Sequence, residues 1–180
     1  MVCNCCKILL KEKLENAGIA VHEISLGKAR ITYDRAAMSS DRLTHLLEKY
    51  GFGLLEDKDD KLVAEIKVAV IELIHQLNNV NSIVRKSDYI VEKLGYSYPY
   101  LSKLFSEHEH QTLEKYIILQ KIERIKHLLD EDELSLSEIA YMMDYSSVQY
   151  LSNQFKKITG ITVTQYKSGS EITTRGIDEL

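Results

Sequence analysis

A six-residue pattern, YLSxxF, recurs fifty positions apart in this chain: Tyr100-Leu101-Ser102-Lys103-Leu104-Phe105 and Tyr150-Leu151-Ser152-Asn153-Gln154-Phe155. The likeness continues downstream, with Thr112, Leu113 and Tyr116 answering to Thr162, Val163 and Tyr166. Two copies are too few for a solenoid and read as one supersecondary unit used twice. At helical spacing, Leu101, Leu104 and Phe105 share one side of the first copy, and Leu151, Phe155 and Ile158 one side of the second. The residues left outside on the second copy are Gln149, Tyr150, Asn153, Gln154 and Lys157. On the first they are Tyr98, Pro99, Tyr100, Ser102 and Lys103. Amides, hydroxyls and cations are the groups that meet base edges and phosphates, so the pattern points to double-stranded DNA.

A second set of reactive side chains opens the chain. Met1, Cys3 and Cys6 form M-x-C-x-x-C at the start of a helix. Two thiols at that spacing can grip one soft ion such as Cu(I) or Zn(II). A helix N-terminus favours the thiolate that metals need. A redox pair and a chance spacing are the alternatives, and Cys5 has no evident ligand role. All three cysteines lie in the first six residues, unlike a secreted disulfide framework, which places the chain in a reducing compartment, the cytoplasm. The six histidines are scattered and form no ligand set at helical or strand spacing. No Ser-His-Asp set, paired-carboxylate cleft or phosphate-cradling glycine loop is visible, so an enzyme is not expected.

The elements that must position these residues follow from periodicity and punctuation. A single proline, no tryptophan and eight glycines predict a mainly helical chain. Residues 6–16 read as an amphipathic helix stopped by Gly18. Residues 19–25 and 29–33 alternate around Leu26-Gly27-Lys28 as a hairpin. A helix over 41–50 and a short strand over 52–56 complete the first part. Leu62, Val63, Ile66, Val70, Ile71, Leu73, Ile74 and Leu77 make a broad apolar stripe on one long helix. That stripe packs either on a domain or on a second copy of itself.

Short helices over 88–94 and 99–107 frame Gly95-Tyr96-Ser97, and helices over 136–142 and 147–159 frame Asp144-Tyr145-Ser146. Each pair has helix-turn-helix form, in which one helix braces and the next lies in the major groove. Ser135 and Glu138 make a capping box. Between the two units runs a helix of about 17 residues, roughly 26 Å long. It can hold two reading heads near one turn of DNA apart, about 34 Å. An acidic loop over 130–133 and a last short helix over 162–168 are expected as well.

Residues 135–167, SLSEIAYMMDYSSVQYLSNQFKKITGITVTQYK, resemble the DNA-binding domain of the AraC/XylS family of transcription regulators. Ile139-Ala140, Ser146-Ser147, Leu151-Ser152, Phe155-Lys156-Lys157, Gly160 and Tyr166 carry the likeness, and residues 81–134 match more loosely. The resemblance implies DNA contacts at Val148, Gln149, Tyr150, Asn153 and Gln154 in the second reader, with Ser147 and Lys157 beside them. It implies Pro99, Ser102 and Lys103 in the first. Two positions depart from the family pattern: Val163 stands for the usual proline and His110 for the usual glycine. The set also has few arginines.

GIAVHEISLGKARITYD and MSSDRLTHLLEKYGFGLL, with Cys3 and Cys6 ahead of them, resemble the heavy-metal-associated domain, a ferredoxin-like sandwich. That family has a strand before its cysteine motif, and this chain starts at the motif. A metal-free module of the same fold, used for regulation or dimerisation, is the alternative.

The expected fold is therefore an α+β ferredoxin-like domain lacking its first strand (1–58), a connecting helix (59–80), an all-α double helix-turn-helix domain (81–168) and a tail (169–180). The expected function is sequence-specific regulation of transcription, with two recognition helices in successive major grooves. The alternative is a metal-binding or trafficking module using Cys3 and Cys6, with a helical partner-binding domain. A homodimer would form through the first domain or the 62–77 helix. A net charge of -4 excludes a generic polyanion binder, so any DNA contact must come from a local surface. No run of about 18 apolar residues marks a membrane span.

Overall fold

The computed structural model describes residues 4–55, 57–76 and 86–169. Helix α1 (Asn4–Asn16) leads through Gly18 into a hairpin of β1 (Ala20–Ser25) and β2 (Lys28–Thr32), followed by α2 (Ser40–Glu48). The strands pair antiparallel from Ala20↔Thr32 to Ser25↔Lys28, with an irregularity between Val21 and Glu23. Leu10, Leu14, Ile19, Leu43 and Leu47 form a small core, closed by the half-buried Val21, Ile24 and Ile31 of the hairpin. Ser39 starts α2 by accepting a hydrogen bond from the Arg42 amide.

The sheet has two strands among the described residues, and the strand expected over 52–56 is not formed over 52–55. Gly51, at φ 75°, turns the chain back so that the Phe52 amide bonds the Leu47 carbonyl at 3.0 Å. Phe52 then packs on the small core, while Gly53, Leu54 and Leu55 stay exposed. The segment is used as a helix stop and lacks the pairing that makes a strand.

Asp57 caps α3 (Lys58–Ile71), which continues into a single π turn at Glu72–Gln76. The remaining helices are α4 (Lys86–Leu94), α5 (Tyr98–Glu109), α6 (Leu113–Glu131), α7 (Leu136–Met142), α8 (Val148–Thr159) and α9 (Val163–Lys167). Much of the apolar stripe is covered by its own chain: Leu62, Val63, Ile66 and Val70 of α3 and Ile74 of the π turn share one core with Ile90, Leu101, Phe105, Ile122, Leu151 and Phe155. The hairpin tip touches the same helix. A Cβ at Gly27 would lie 3.2 Å from Val68 Cγ2, and the φ of +74° there also favours glycine. Lys28 and Glu65 pair beside it at 2.6 Å.

The expected acidic loop is shorter than 130–133, because α6 runs on through Glu131 and ends at Asp132 with φ 51°. The α6 end is tied to α9 by the Tyr166 hydroxyl on Asp130 at 3.0 Å and by Lys167 on Asp132 at 2.5 Å. The Lys167 bond holds the Asp132 carboxyl below the usual carboxylate range.

The repeat is structural as well as sequential. α5 and α8 have 12 residues each, preceded by Ser97 and Ser147 as N-caps and followed by His110 and Gly160 in the left-handed region. Thr112 and Thr162 then cap the next helices. Phe105 meets Tyr116 at 5.2 Å between ring centroids, and Phe155 meets Tyr166 at 5.6 Å. The His110 departure thus falls where glycine is cheapest, since a side chain in the left-handed region costs about 1–2 kcal/mol. Gly160→Ala, with open space around its missing Cβ, should lower unfolding stability by about 1 kcal/mol. His110→Gly should raise it by about 0.5 kcal/mol once the freer unfolded chain is counted. Chemical denaturation of the two variants reads both signs.

Candidate nucleic-acid interface

α8 is positioned by a capped start and two apolar anchors. Ser147 Oγ accepts from the Tyr150 amide at 3.1 Å, satisfying one of the amides that a helix start leaves open. Leu151 and Phe155, one turn apart, are each 0% exposed and set the rotation of the helix. Ser147, Gln149, Tyr150, Asn153 and Lys157 consequently face out, and Val148 and Gln154 are half-buried at the edge of that face. Lys156 and Lys157 occupy the last turn, where cations suit the helix dipole.

The outward polar groups are ordered by hydrogen bonds. Gln149 Nε2 donates to Asn153 Oδ1 at 3.2 Å, and the Tyr145 hydroxyl donates to Gln154 Oε1 at 2.5 Å. Tyr145 belongs to the turn between α7 and α8, where Asp144 adopts φ 57°. Behind that turn lies Lys121, 8% exposed, whose Nζ donates to the Met143 carbonyl at 2.8 Å and sits 4.8 Å from the centre of the Tyr145 ring. A buried ammonium is tolerated only with such partners. Burial, then the neighbouring Tyr150, pushes the Tyr145 hydroxyl up to about 12, so it stays protonated at neutral pH. On the bracing helix, Ser135 and Glu138 form the expected capping box, and the Ser135 bonds hold the Glu138 carboxyl below its usual range.

α5 repeats the design with different chemistry. Leu101 and Phe105 are 0% exposed, Pro99, Tyr100 and Lys103 face out, and Ser102 is half-buried. Ser97 makes no side-chain cap bond, and Pro99 occupies the first turn, where its missing N–H is harmless. Tyr96 and Tyr100 stack at 5.4 Å on the surface. Lys103 lies 3.8 Å from Glu107, an exposed pair of little energetic weight. The position of Gln154 is taken here by buried Leu104, so no amide faces out on α5.

The structure thus places Ser147, Gln149, Tyr150, Asn153 and Lys157 on one face of α8, and Pro99, Ser102 and Lys103 in the first turns of α5. Between them α6, with 19 residues, spans about 28 Å. Sequence reasoning missed Lys121 and Tyr145. The signal was present: Lys121 falls at the spacing of Ile118, Ile125 and Leu128, a cation set into an apolar stripe.

Cys3 lies outside the described residues, while Cys6 sits half-buried in the first turn of α1 beside exposed Cys5. Among the described residues no group of three or more His, Cys, Asp or Glu side chains is placed to hold a metal ion. His75 and His127 approach to 6.5 Å between ring centroids; burial first, then Arg124 and His127, keeps the His75 imidazole below its usual pKa. Among the described residues no helix is long and apolar enough to cross a membrane.

Residues 90–169 match a family model described as a helix-turn-helix domain. The match is to a helix-turn-helix domain and covers the segment that holds α5 and α8. The xylose operon regulatory protein of Escherichia coli K12 is 28% identical over 185 residues, covering 92% of this chain and 47% of that protein. The Msm operon regulatory protein of Streptococcus mutans is 27% identical over 69% of this chain and 44% of its own length. A solved DNA-binding transcriptional dual regulator from Escherichia coli K-12 is 20% identical, with a TM-score of 0.48, over 59% of this chain and 89% of that one. The chain spans about half the length of the operon regulators it matches, 47% and 44%.

The unequal caps give a test of how each reader is held. Ser147→Ala should cost about 1 kcal/mol of stability, the usual value for a lost N-cap bond. Ser97→Ala should cost much less, because no side-chain bond is lost there. Thermal unfolding of the two variants checks the difference.

Proposed function

We propose that this chain regulates transcription by sequence-specific binding to double-stranded DNA, with α8 and α5 as recognition helices in successive major grooves. The single observation that carries this is the α8 anchor pair. Leu151 and Phe155 are sealed in the core, so Gln149 and Asn153 are displayed on a capped, polar helix face. The helix-turn-helix match and the regulator names of the relatives support the same reading, and support a role other than catalysis. On this reading Ser147, Val148, Gln149, Tyr150, Asn153, Gln154 and Lys157 contact one groove, and Pro99, Ser102 and Lys103 the next. The 28 Å or so of α6 suits two helices that work on one side of a duplex.

The first domain is read as a ferredoxin-like unit, supported by the order α1-β1-β2-α2 among the described residues. It serves to receive a signal or to pair subunits. Much of the α3 stripe is already covered within the chain, which leaves the first domain as the better surface for a homodimer. The boundaries near 58, 80 and 168 and a cytoplasmic location belong to the same proposal.

Asn153→Ala should weaken binding to the cognate duplex by about 1–3 kcal/mol, the range for a lost base contact. Binding to a scrambled duplex should change little. Gel-shift titrations with both duplexes measure the ratio; an unchanged ratio would count against α8 as a reader.

A further inference from the structure

The α8 amides are polarised before any DNA arrives. A free glutamine or asparagine side chain reads adenine with both ends of its amide, the oxygen accepting from N6 and the nitrogen donating to N7. In Gln154 one of the two lone pairs of Oε1 already accepts from the Tyr145 hydroxyl at 2.5 Å, which ties that end of the amide to the turn before α8. The end that this bond leaves untied is the NH2 group with its two donors. Those donors match guanine, which shows N7 and O6 as neighbouring acceptors, whereas adenine sets an amino group beside N7.

Tyr145 is well placed to be the donor of this pair. The Lys121 ammonium lies over its ring and is itself fixed by the Met143 carbonyl, so the ring is held in place. Tyr145 is 9% exposed, so its hydroxyl has little water to turn to and Gln154 is its hydrogen-bond partner. Asn153 is biased in the same sense by Gln149, through a longer and fully exposed bond that DNA can break more easily.

We propose that Tyr145 is a specificity-determining positioning residue: by holding Oε1 of Gln154 it fixes that amide as a donor pair and selects guanine over adenine at the base pair Gln154 meets. This rests on the DNA-reading function proposed above. It is a property of the second reader alone, since buried Leu104 replaces Gln154 in the first.

The test is selection of bound sequences from a randomised duplex pool by the full chain and its variants. The wild type should show guanine at the Gln154 position. Tyr145→Phe keeps the ring over Lys121 but frees Oε1. It should move the preference there from guanine to adenine, with a change in relative affinity of about 5- to 150-fold, the range for one bidentate contact. The other positions should stay as they were. Guanine retained in Tyr145→Phe overturns the proposal. Gln154→Ala, which leaves Tyr145 in place, decides the matter if the phenylalanine variant fails to fold. Loss of guanine preference at one position supports the assignment, and an unchanged preference overturns it. A wild-type chain that selects no sequence at all overturns the DNA-reading function itself.

Discussion

The arrangement depends on a pair of apolar anchors placed one helical turn apart and used twice. Leu101 with Phe105, and Leu151 with Phe155, are withdrawn completely from water. A helix held at two such points cannot rotate about its axis without exposing an aromatic ring or burying an amide. Each alternative costs more than the net gain of a surface hydrogen bond. The identity of the outward residues is therefore fixed by what is buried, and the reading face can vary without disturbing the fold. The two copies show this freedom: identical anchors carry Pro99, Tyr100 and Lys103 on one helix and Gln149, Tyr150 and Asn153 on the other.

The anchors would fix little if the two units could swing against each other. α6 prevents this because both units pack on it. Phe105 meets Tyr116 in a tilted ring contact near its start, while Tyr166 and Lys167 of α9 bond Asp130 and Asp132 at its end. Lys121, near the middle, holds the turn before α8. α3 adds Leu62, Val63, Ile66 and Val70 to the same core. α3 is thus packed into the helical core, and the hairpin tip at Gly27 rests on it. A shift of the hairpin would be felt by α3 and hence by α5, against which α3 packs.

The helices were legible because their signals are local. The cap at Ser135, stops at Gly18 and Gly160, and 3.6-residue spacing mark ends and faces within a few residues of where they fall. The repeat added what periodicity alone cannot, since it singled out which helices share a task. Two kinds of information were hidden. Residues 52–55 have strand-like composition, but a strand exists only through its neighbour, and pairing is not written in the segment itself. The Lys121–Tyr145–Gln154 chain joins three elements, 24 and 9 positions apart, and no local pattern connects them. The resemblance supplied the outward positions of α8 but not how their amides are turned.

The acidic balance of the chain bears on how such a surface works. A protein of net charge -4 gains little from the general field of a polyanion, and most of its cations lie away from the reading faces. On α8 and α5 the exposed cations are Lys103, Lys156 and Lys157, and one of these already faces Glu107. Few phosphates can be neutralised, so the salt-dependent, sequence-blind part of the affinity is small. Discrimination must then rest on the orientation of a handful of neutral groups. An amide free to flip presents donor and acceptor alternately and tolerates several bases; one pinned by a buried phenol presents a single pattern. On the proposed reading, holding Gln154 from behind would let a weakly charged protein discriminate without binding tightly everywhere.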